Sequence, residues 1–425
     1  MSARMLRSLF SYAGSFVLFL VVTINSAHAA DDSQNADGET KADVKNVVGV
    51  TVPPENDPEY ALLGEFVGPI LIGENKYEPL ALQIRPVGGG NFEALQYRGG
   101  LPGQKSHQPE AIRLIGRRSG DFVVMSGGPW AIFVEKNHCL LVDREGNHVG
   151  RLERVTRQSP TIGAKPPQDA IVLFDGTNTD QFSVAEMTPD GLLMQGADLK
   201  PMFQDFNLHV EFRLPYMPAA TGQARGNSGL YLQSRYEVQV LDSFAEKPTF
   251  NGMGSLYRLR EPDVNMCLPP LQWQAYDVVF TAPRWAADGS KVRNGRITAW
   301  LNGVKVQDDV ELPNKTGAGQ EESPTLLPIR LQNHKDPVRF RNIWLIDRGL
   351  TPVAKFPVYP SAGEEKAADV AVTAKPAAEK QDASPKEKAA AADSADKTPA
   401  AAEKPIAPAK DKDNKPEDKQ PDLNP

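Results

Sequence analysis

The stretch that decides the fold is Gly226-Asn-Ser-Gly-Leu-Tyr-Leu-Gln-Ser-Arg-Tyr-Glu-Val-Gln-Val-Leu-Asp242. Its short apolar runs predict two strands, Leu230–Gln233 and Tyr236–Leu241, with a tight link at Ser234-Arg235. The two runs lie so close in sequence that they should pair as a hairpin. The hairpin should belong to an antiparallel sheet.

The second strand of this hairpin predicts one polar and one apolar face. Because strand side chains alternate, Glu237 and Gln239 share a face, while Val238 and Val240 point into a core. Asp242 reaches the polar side only through a bulge or at the end of the strand. Carboxylates and an amide on a rigid sheet suit the binding of a sugar. The same alternation also fits a solvated sheet face without chemistry.

Composition excludes several classes of protein. The 425 residues carry a formal net charge of -7, whereas a nucleic-acid-binding surface would be basic, so no nucleic-acid partner is expected. The two cysteines, Cys139 and Cys267, exclude a disulfide scaffold. Two buried free thiols are favoured, and a single bridge stays open.

Residues 1–29 have the pattern of a secretory signal peptide. Arg4 and Arg7 give a positive start, an apolar run follows, and Ala27-His28-Ala29 fits a cleavage site. An uncleaved membrane anchor is the alternative. The pattern predicts export to the periplasm or the extracellular space.

The chain between the predicted signal and residue 168 divides into three parts. A polar linker is expected over 30–58, a small all-β domain over 59–158, and a proline-containing connector over 159–168. Short strand candidates separated by glycine-rich turns indicate a barrel or a sandwich for the small domain, whose role the sequence leaves open. The eight candidates are Glu65–Ile72, Leu80–Pro86, Asn91–Tyr97, Ala111–Gly116, Asp121–Ser126, Trp130–Lys136, Cys139–Val142 and His148–Val155.

Residues 169–349 predict a second all-β domain. Asn302-Gly303 between two alternating runs is a strong hairpin signal, and apolar parity slips near Arg341-Asn342, which predicts a bulge. About a dozen strands with almost no helix favour a jelly-roll sandwich of two antiparallel sheets. Residues 361–425 are rich in Ala, Lys, Glu and Pro, so we expect a disordered tail, with contact to the cell envelope as its alternative role.

The second domain contains a series of short sequence blocks in a defined order: Leu173-Phe-Asp-Gly-Thr177, Asp205-Phe-Asn-Leu-His-Val-Glu-Phe-Arg213, Gly226-Asn-Ser-Gly-Leu-Tyr231, Tyr236-Glu-Val-Gln-Val-Leu-Asp242, Gly254-Ser-Leu-Tyr257, Trp300-Leu-Asn-Gly-Val304, Ile329-Arg-Leu-Gln-Asn-His334 and Val338-Arg-Phe-Arg-Asn-Ile343. In these blocks and their order it resembles the 3-keto-disaccharide hydrolase domain family, a concanavalin A-like, laminarinase-like jelly roll. The first domain resembles a small β domain that accompanies this one in planctomycete-type exported proteins.

The resemblance implies cleavage of an oxidised glycoside. A 3-ketone acidifies the proton on C2 of the sugar, a base removes it, and the enolate expels the aglycone from C1. Water then adds back. Such a site needs a base near C2, donors for the C3 oxygen and an acid for the leaving oxygen.

The resemblance assigns candidate residues to these roles. The acid/base candidates are Glu237, Asp242 and His334. Candidates for binding the sugar or the oxyanion are Asn227, Gln239, Glu211, Gln332, Arg339 and Arg341. No spacing specifies a metal site, although these oxygens leave a divalent cation open as a cofactor.

Two other functions stay open. Glu237-x-Gln239-x-x-Asp242 has the spacing of the Glu-x-Asp-x-x-Glu motif of retaining glycanases, but it lacks the middle acid and shortens the last. A carbohydrate-binding or cell-envelope module without turnover is the other alternative, since jelly rolls host binding functions as well.

Overall fold

The structure is a computed structural model that describes residues 48–349. The predicted signal peptide, most of the predicted linker and the tail over 361–425 lie outside the described residues. Within the described part of the predicted linker, Val50 exchanges two backbone hydrogen bonds with Tyr216 of the second domain. No helix in the described part of the chain is long and apolar enough to span a membrane.

The first domain is a closed antiparallel barrel preceded by a short 3-10 helix, Tyr60–Leu62. All eight strand candidates form strands, and the first pairs with the last to close the barrel. Phe66, Leu82 and Met125 are among the buried residues that fill its interior. The strands are β1 (Gly64–Gly73), β2 (Lys76–Gly88), β3 (Asn91–Arg98), β4 (Ala111–Ser119), β5 (Phe122–Ser126), β6 (Ala131–Val134), β7 (His138–Val142) and β8 (His148–Val155).

The second domain is a jelly-roll sandwich, as expected. Its five-stranded sheet has the order β10-β12-β21-β14-β15, and its seven-stranded sheet has the order β11-β22-β13-β16-β19-β20 with β9 beside β22. A small ribbon, β17-β18, and a 3-10 helix, Gly222–Ala224, complete it. The strands are β9 (Ile171–Phe174), β10 (Phe182–Val184), β11 (Leu193–Met194), β12 (Ala197–Leu199), β13 (Asp205–Arg213), β14 (Ser228–Leu232), β15 (Tyr236–Val240), β16 (Trp273–Thr281), β17 (Arg284–Trp285), β18 (Lys291–Arg293), β19 (Gly295–Leu301), β20 (Val304–Leu312), β21 (Arg330–Leu331) and β22 (Arg339–Gly349).

The turns follow the local sequence closely. Asn302 and Gly303 both have positive φ, at 53° and 77°, as a tight two-residue hairpin requires. The bulge in β22 is also confirmed, because Asn342 has φ 44° and the pairing with β13 shifts there. The β14–β15 turn lies one residue earlier than predicted, since Gln233 and Ser234 are the residues with positive φ.

The core between the two sheets fixes which side chains point outward. Leu208 and Val210 of β13 face Val238 and Val240 of β15 within one apolar cluster. The predicted parity of the second strand is therefore confirmed. Side chains of opposite parity lie on the two outer faces of the sandwich, which point away from each other.

Both cysteines are buried free thiols, as favoured from the sequence. Cys139 lies in the barrel core and Cys267 in the sandwich core. Burial raises the pKa of both thiols, so neither is primed as a nucleophile.

Candidate functional site

The outer face of the five-stranded sheet carries two neighbouring rows of side chains. In one row Glu237 stands directly opposite Tyr231, which stands opposite Arg330. In the other row Gln239 stands opposite Gly229, whose carbonyl oxygen accepts a hydrogen bond from the backbone N–H of Gln332. The β14–β15 hairpin and the distant β21 segment thus supply polar groups to one face.

Glu237 is a buried carboxyl group with a single side-chain partner. The side chain of this residue is on the outer face, yet the residue is only 3% exposed. The Tyr231 hydroxyl donates to Oε2 over 2.7 Å, while the described residues donate no hydrogen bond to Oε1. Burial raises the pKa of Glu237 to about 7, and the hydrogen bond from Tyr231 opposes that rise only in part.

Two glycines leave the space that this carboxyl group occupies. A Cβ at Gly229 would collide with Oε1 of Glu237. A Cβ at Gly317, which has φ 52°, would lie 2.7 Å from Oε2 and 2.7 Å from the Tyr257 ring. The neighbouring Thr316 hydroxyl accepts a 2.6 Å hydrogen bond from the Glu237 N–H. The loop after β20 therefore closes over the carboxyl group.

An amide cluster, formed by the side chains of Gln223, Asn227 and Gln239 with the Asn251 carbonyl oxygen, lies next to Glu237. Gln239 donates to Gln223 Oε1 over 3.0 Å and to the Asn251 oxygen over 3.3 Å. Asn227 donates to the Gln223 carbonyl oxygen over 2.7 Å. Gln223 completes the cluster with a 3.0 Å hydrogen bond to the Asn251 oxygen. These bonds fix the amide groups before any ligand arrives.

Gln332 contributes an unsatisfied acceptor to the same face. Its Oε1 is buried and has no hydrogen-bond partner among the described residues. Its backbone N–H donates to the Gly229 carbonyl oxygen, and its backbone carbonyl oxygen accepts a 2.8 Å hydrogen bond from the Ser228 hydroxyl. A buried acceptor without a donor is unfavourable unless a ligand or water supplies one.

Asp242 was expected to lie in the same site as Glu237, but the structure does not place the two carboxyl groups together. β15 ends at Val240, and the Asp242 carboxylate accepts a 2.7 Å hydrogen bond from Arg225 Nε in a buried ion pair. This pairing holds the carboxylate at the end of the strand, so it is not available as an acid or base. His334 is exposed on the loop after β21, near Asp336, which accepts a hydrogen bond from the Asn227 N–H.

Three other predicted residues lie on the opposite outer face. Glu211, Arg339 and Arg341 belong to β13 and β22 of the seven-stranded sheet and point away from the core there. Arg341 pairs with Glu211 over 2.7 Å, and Arg339 donates to Gln195 over 3.0 Å. The expectation that they form one site with Glu237 is wrong, because the core of the sandwich separates the two outer faces.

Sequence reasoning missed two members of the site. Tyr231 could have been found from the hairpin sequence, because the position of the turn sets which residues pair, and it pairs Tyr231 with Glu237. Gln223 had no comparable signal, since it reaches Gln239 from an irregular segment. Within residues 48–349, no group of three or more His, Cys, Asp or Glu side chains could hold a metal ion.

This arrangement defines an all-β sandwich protein with a buried, raised-pKa carboxyl group on a polar sheet face. Residues 169–346 match the model of the 3-keto-alpha-glucoside-1,2-lyase-like domain. The chain belongs to this family. Family membership supports a glycoside-processing, hydrolase-like function.

Two solved structures are similar to this chain. A "putative glycosyl hydrolase" from Parabacteroides distasonis ATCC 8503 is 36% identical over 42% of this chain and 84% of that chain, with a TM-score of 0.39. A second "putative glycosyl hydrolase" from the same organism is 16% identical over 45% of this chain and 98% of that chain, with a TM-score of 0.32. No curated protein sequence matches this chain.

Proposed function

We propose that the sandwich cleaves 3-keto-glycosides, with Glu237 as the base that removes the proton from C2. The observation that carries this proposal is the Glu237 carboxyl group, whose pKa is about 7 and whose Oε1 has no partner among the described residues. A base with a pKa near the working pH is sufficiently ionised and still basic enough to take a carbon-bound proton. Tyr231 holds Oε2, which leaves Oε1 for the substrate.

The reaction balances as an elimination followed by hydration. Glu237 accepts the C2 proton, the electron pair of the C2–H bond forms a C2–C3 double bond, and the carbonyl π pair moves onto the C3 oxygen to give an enolate. The enolate re-forms its carbonyl group, a C1–C2 double bond forms, and the C1–O bond to the aglycone breaks. The leaving oxygen takes up a proton from solvent, Glu237 releases the proton that it took from C2, and water adds across the double bond.

The polar groups around Glu237 suit a ring with several hydroxyl groups. Gln332 Oε1 can only accept a hydrogen bond, so its ligand must be a donor such as a sugar hydroxyl. The amide cluster supplies further donors and acceptors in fixed positions. Because Glu237 is 3% exposed, substrate binding requires a shift of the segment around Gly317.

The structure disfavours a retaining glycanase. That mechanism needs two carboxyl groups about 5–5.5 Å apart, one of them free to attack the sugar. Gln239 occupies the middle position as an amide, and Asp242 is bound to Arg225. The proposal also includes export, which rests on the sequence of residues 1–29. It includes an oxidised glycoside as the partner, which rests on the family.

The test compares 3-keto-glucosides with their unoxidised parents. We expect aglycone release from the keto forms only, and we expect Glu237→Gln to lower kcat roughly 10²- to 10⁴-fold. Glu311→Gln on β20, an exposed carboxylate, is the matched control and should retain activity. Equal cleavage of unoxidised glycosides, or retention on a glycan without any product, would contradict the proposal.

A further inference from the structure

Arg225 joins the two domains through one buried guanidinium group. The residue is 1% exposed. Its Nε donates to Asp242 of the sandwich over 2.7 Å, and its Nη1 donates to the Pro86 carbonyl oxygen of barrel strand β2 over 3.3 Å. The same Nη1 lies 3.4 Å from the carbonyl oxygens of Pro218 and Ala220. One side chain therefore fixes the barrel, the end of β15 and the segment that precedes Arg225.

That segment carries part of the amide cluster. Gln223 lies two residues before Arg225, and Asn227 lies two residues after it. Gln223 is the acceptor for both Gln239 and Asn227 side chains, at 3.0 and 3.3 Å. A movement of the 218–227 backbone would therefore move the amide groups relative to Glu237, although Arg225 itself contacts neither Glu237 nor Tyr231.

The barrel packs closely against both sides of this junction. A Cβ at Gly88, at the end of β2, would lie 3.3 Å from the Ala219 Cα. On the other side Arg85 donates to Glu246 over 2.5 Å and to the Phe244 carbonyl oxygen over 3.2 Å. The segment after Asp242 and the segment before Arg225 are thus in contact with the same end of β2.

We propose that the barrel is a positioning element of the substrate site, which acts through Arg225 on the amide cluster. Its function is then to hold the 218–227 segment in the conformation that binds sugar hydroxyls, and Arg225 is a positioning residue. The inference rests on the proposed function where it predicts a change in KM for a 3-keto-glucoside. Its structural readout is independent of any substrate.

The first experiment uses Arg225→Lys in the full chain, because lysine keeps the charge but loses the fork that reaches both domains. We expect KM for a 3-keto-glucoside to rise roughly tenfold with kcat unchanged, the signature of lost uniform binding. Hydrogen–deuterium exchange should rise over residues 218–227. Wild-type KM together with wild-type exchange would overturn the inference.

A second pair of variants covers the case in which Arg225→Lys does not fold. Gly88→Ala and Gly89→Ala place the same methyl group in one turn, both at positive φ, 84° and 64°, but only Gly88 faces Ala219. We expect faster exchange over residues 218–227 for Gly88→Ala only. Identical behaviour of the two variants would overturn the inference. If the wild-type protein does not turn over keto-sugars, the proposed function fails, whereas exchange still tests whether the barrel holds residues 218–227 in place.

Discussion

The two outer faces of the sandwich each hold one buried glutamate, and their environments are opposite. Glu237 on the five-stranded sheet has one side-chain donor, and burial raises its pKa to about 7. Glu211 on the seven-stranded sheet is 0% exposed. Burial would raise its pKa too, but hydrogen bonds lower it to about 2. Burial alone does not set the charge of a carboxyl group; the number of donors does.

The donors around Glu211 come from two parts of the chain, the connector and strand β22. Gly163 of the connector donates its N–H over 2.5 Å, Asn342 donates over 2.7 Å, and Arg341 donates over 2.7 Å. His209 lies 3.5 Å away, and although burial lowers its pKa, the hydrogen bonds with Asp277 and Glu211 raise it above the ordinary value. A carboxylate bound in this way stabilises the fold and cannot accept a proton readily. The Glu237 carboxyl group has the opposite properties: its raised pKa lets it accept a proton, and its ionised form does not stabilise the fold.

The largest expected difference between the faces is in stability. Glu211→Gln removes the buried carboxylate that accepts hydrogen bonds from Arg341, Asn342 and Gly163, so we expect it to lower the free energy of unfolding by about 3–5 kcal/mol, measured by urea denaturation at pH 7. Glu311→Gln, which removes an exposed partner 3.8 Å from Arg296, should change it by less than about 1 kcal/mol. A Glu211→Gln variant as stable as Glu311→Gln would remove the contrast.

Glu237→Gln should change stability in the opposite direction. A carboxyl group whose pKa is raised in the folded state contributes stability that is complete below its unfolded pKa, near 4.5, and is lost as the pH rises through about 7. Glutamine has no proton to lose, so at pH 8 the variant should be more stable than wild type by up to about 3 kcal/mol. Near pH 4 the gain should almost vanish. Equal stabilities at pH 4 and pH 8 would show that the pKa is not raised.

Much of the fold followed from local signals, because turns and alternation are encoded within a few residues. The barrel strands, the Asn302-Gly303 hairpin and the inward parity of Val238 and Val240 are examples. The same reasoning could not place Glu211 relative to Glu237. Both residues have the outward parity of their own strands, and parity does not tell which of two sheets a strand joins.

The site also depended on partners that lie far away in sequence. The family resemblance implied an acid or base role for Asp242, but Arg225 binds it from an irregular segment where no periodicity applies. Gln332 was named from the sequence as a candidate for binding sugar hydroxyls, whereas its lack of a donor among the described residues is visible only in three dimensions. Chemical candidates can be found from sequence, but whether they are free or engaged depends on packing.

The smallest expected effect concerns the hydrogen bond that Tyr231 donates to the buried Glu237 carboxyl group. Tyr231→Phe removes the donor that lowers its pKa, so the pKa should rise above about 7 by roughly one unit. The rising limb of the pH–rate profile should move up equally, and isotope-edited infrared titration of the carboxyl group gives the same readout without turnover. Tyr257→Phe is the matched control, because its ring packs near Gly317 while its hydroxyl makes no hydrogen bond to Glu237. If both variants titrate like the wild type, Tyr231 does not tune Glu237, and the donors around Glu211 alone account for the contrast between the two faces.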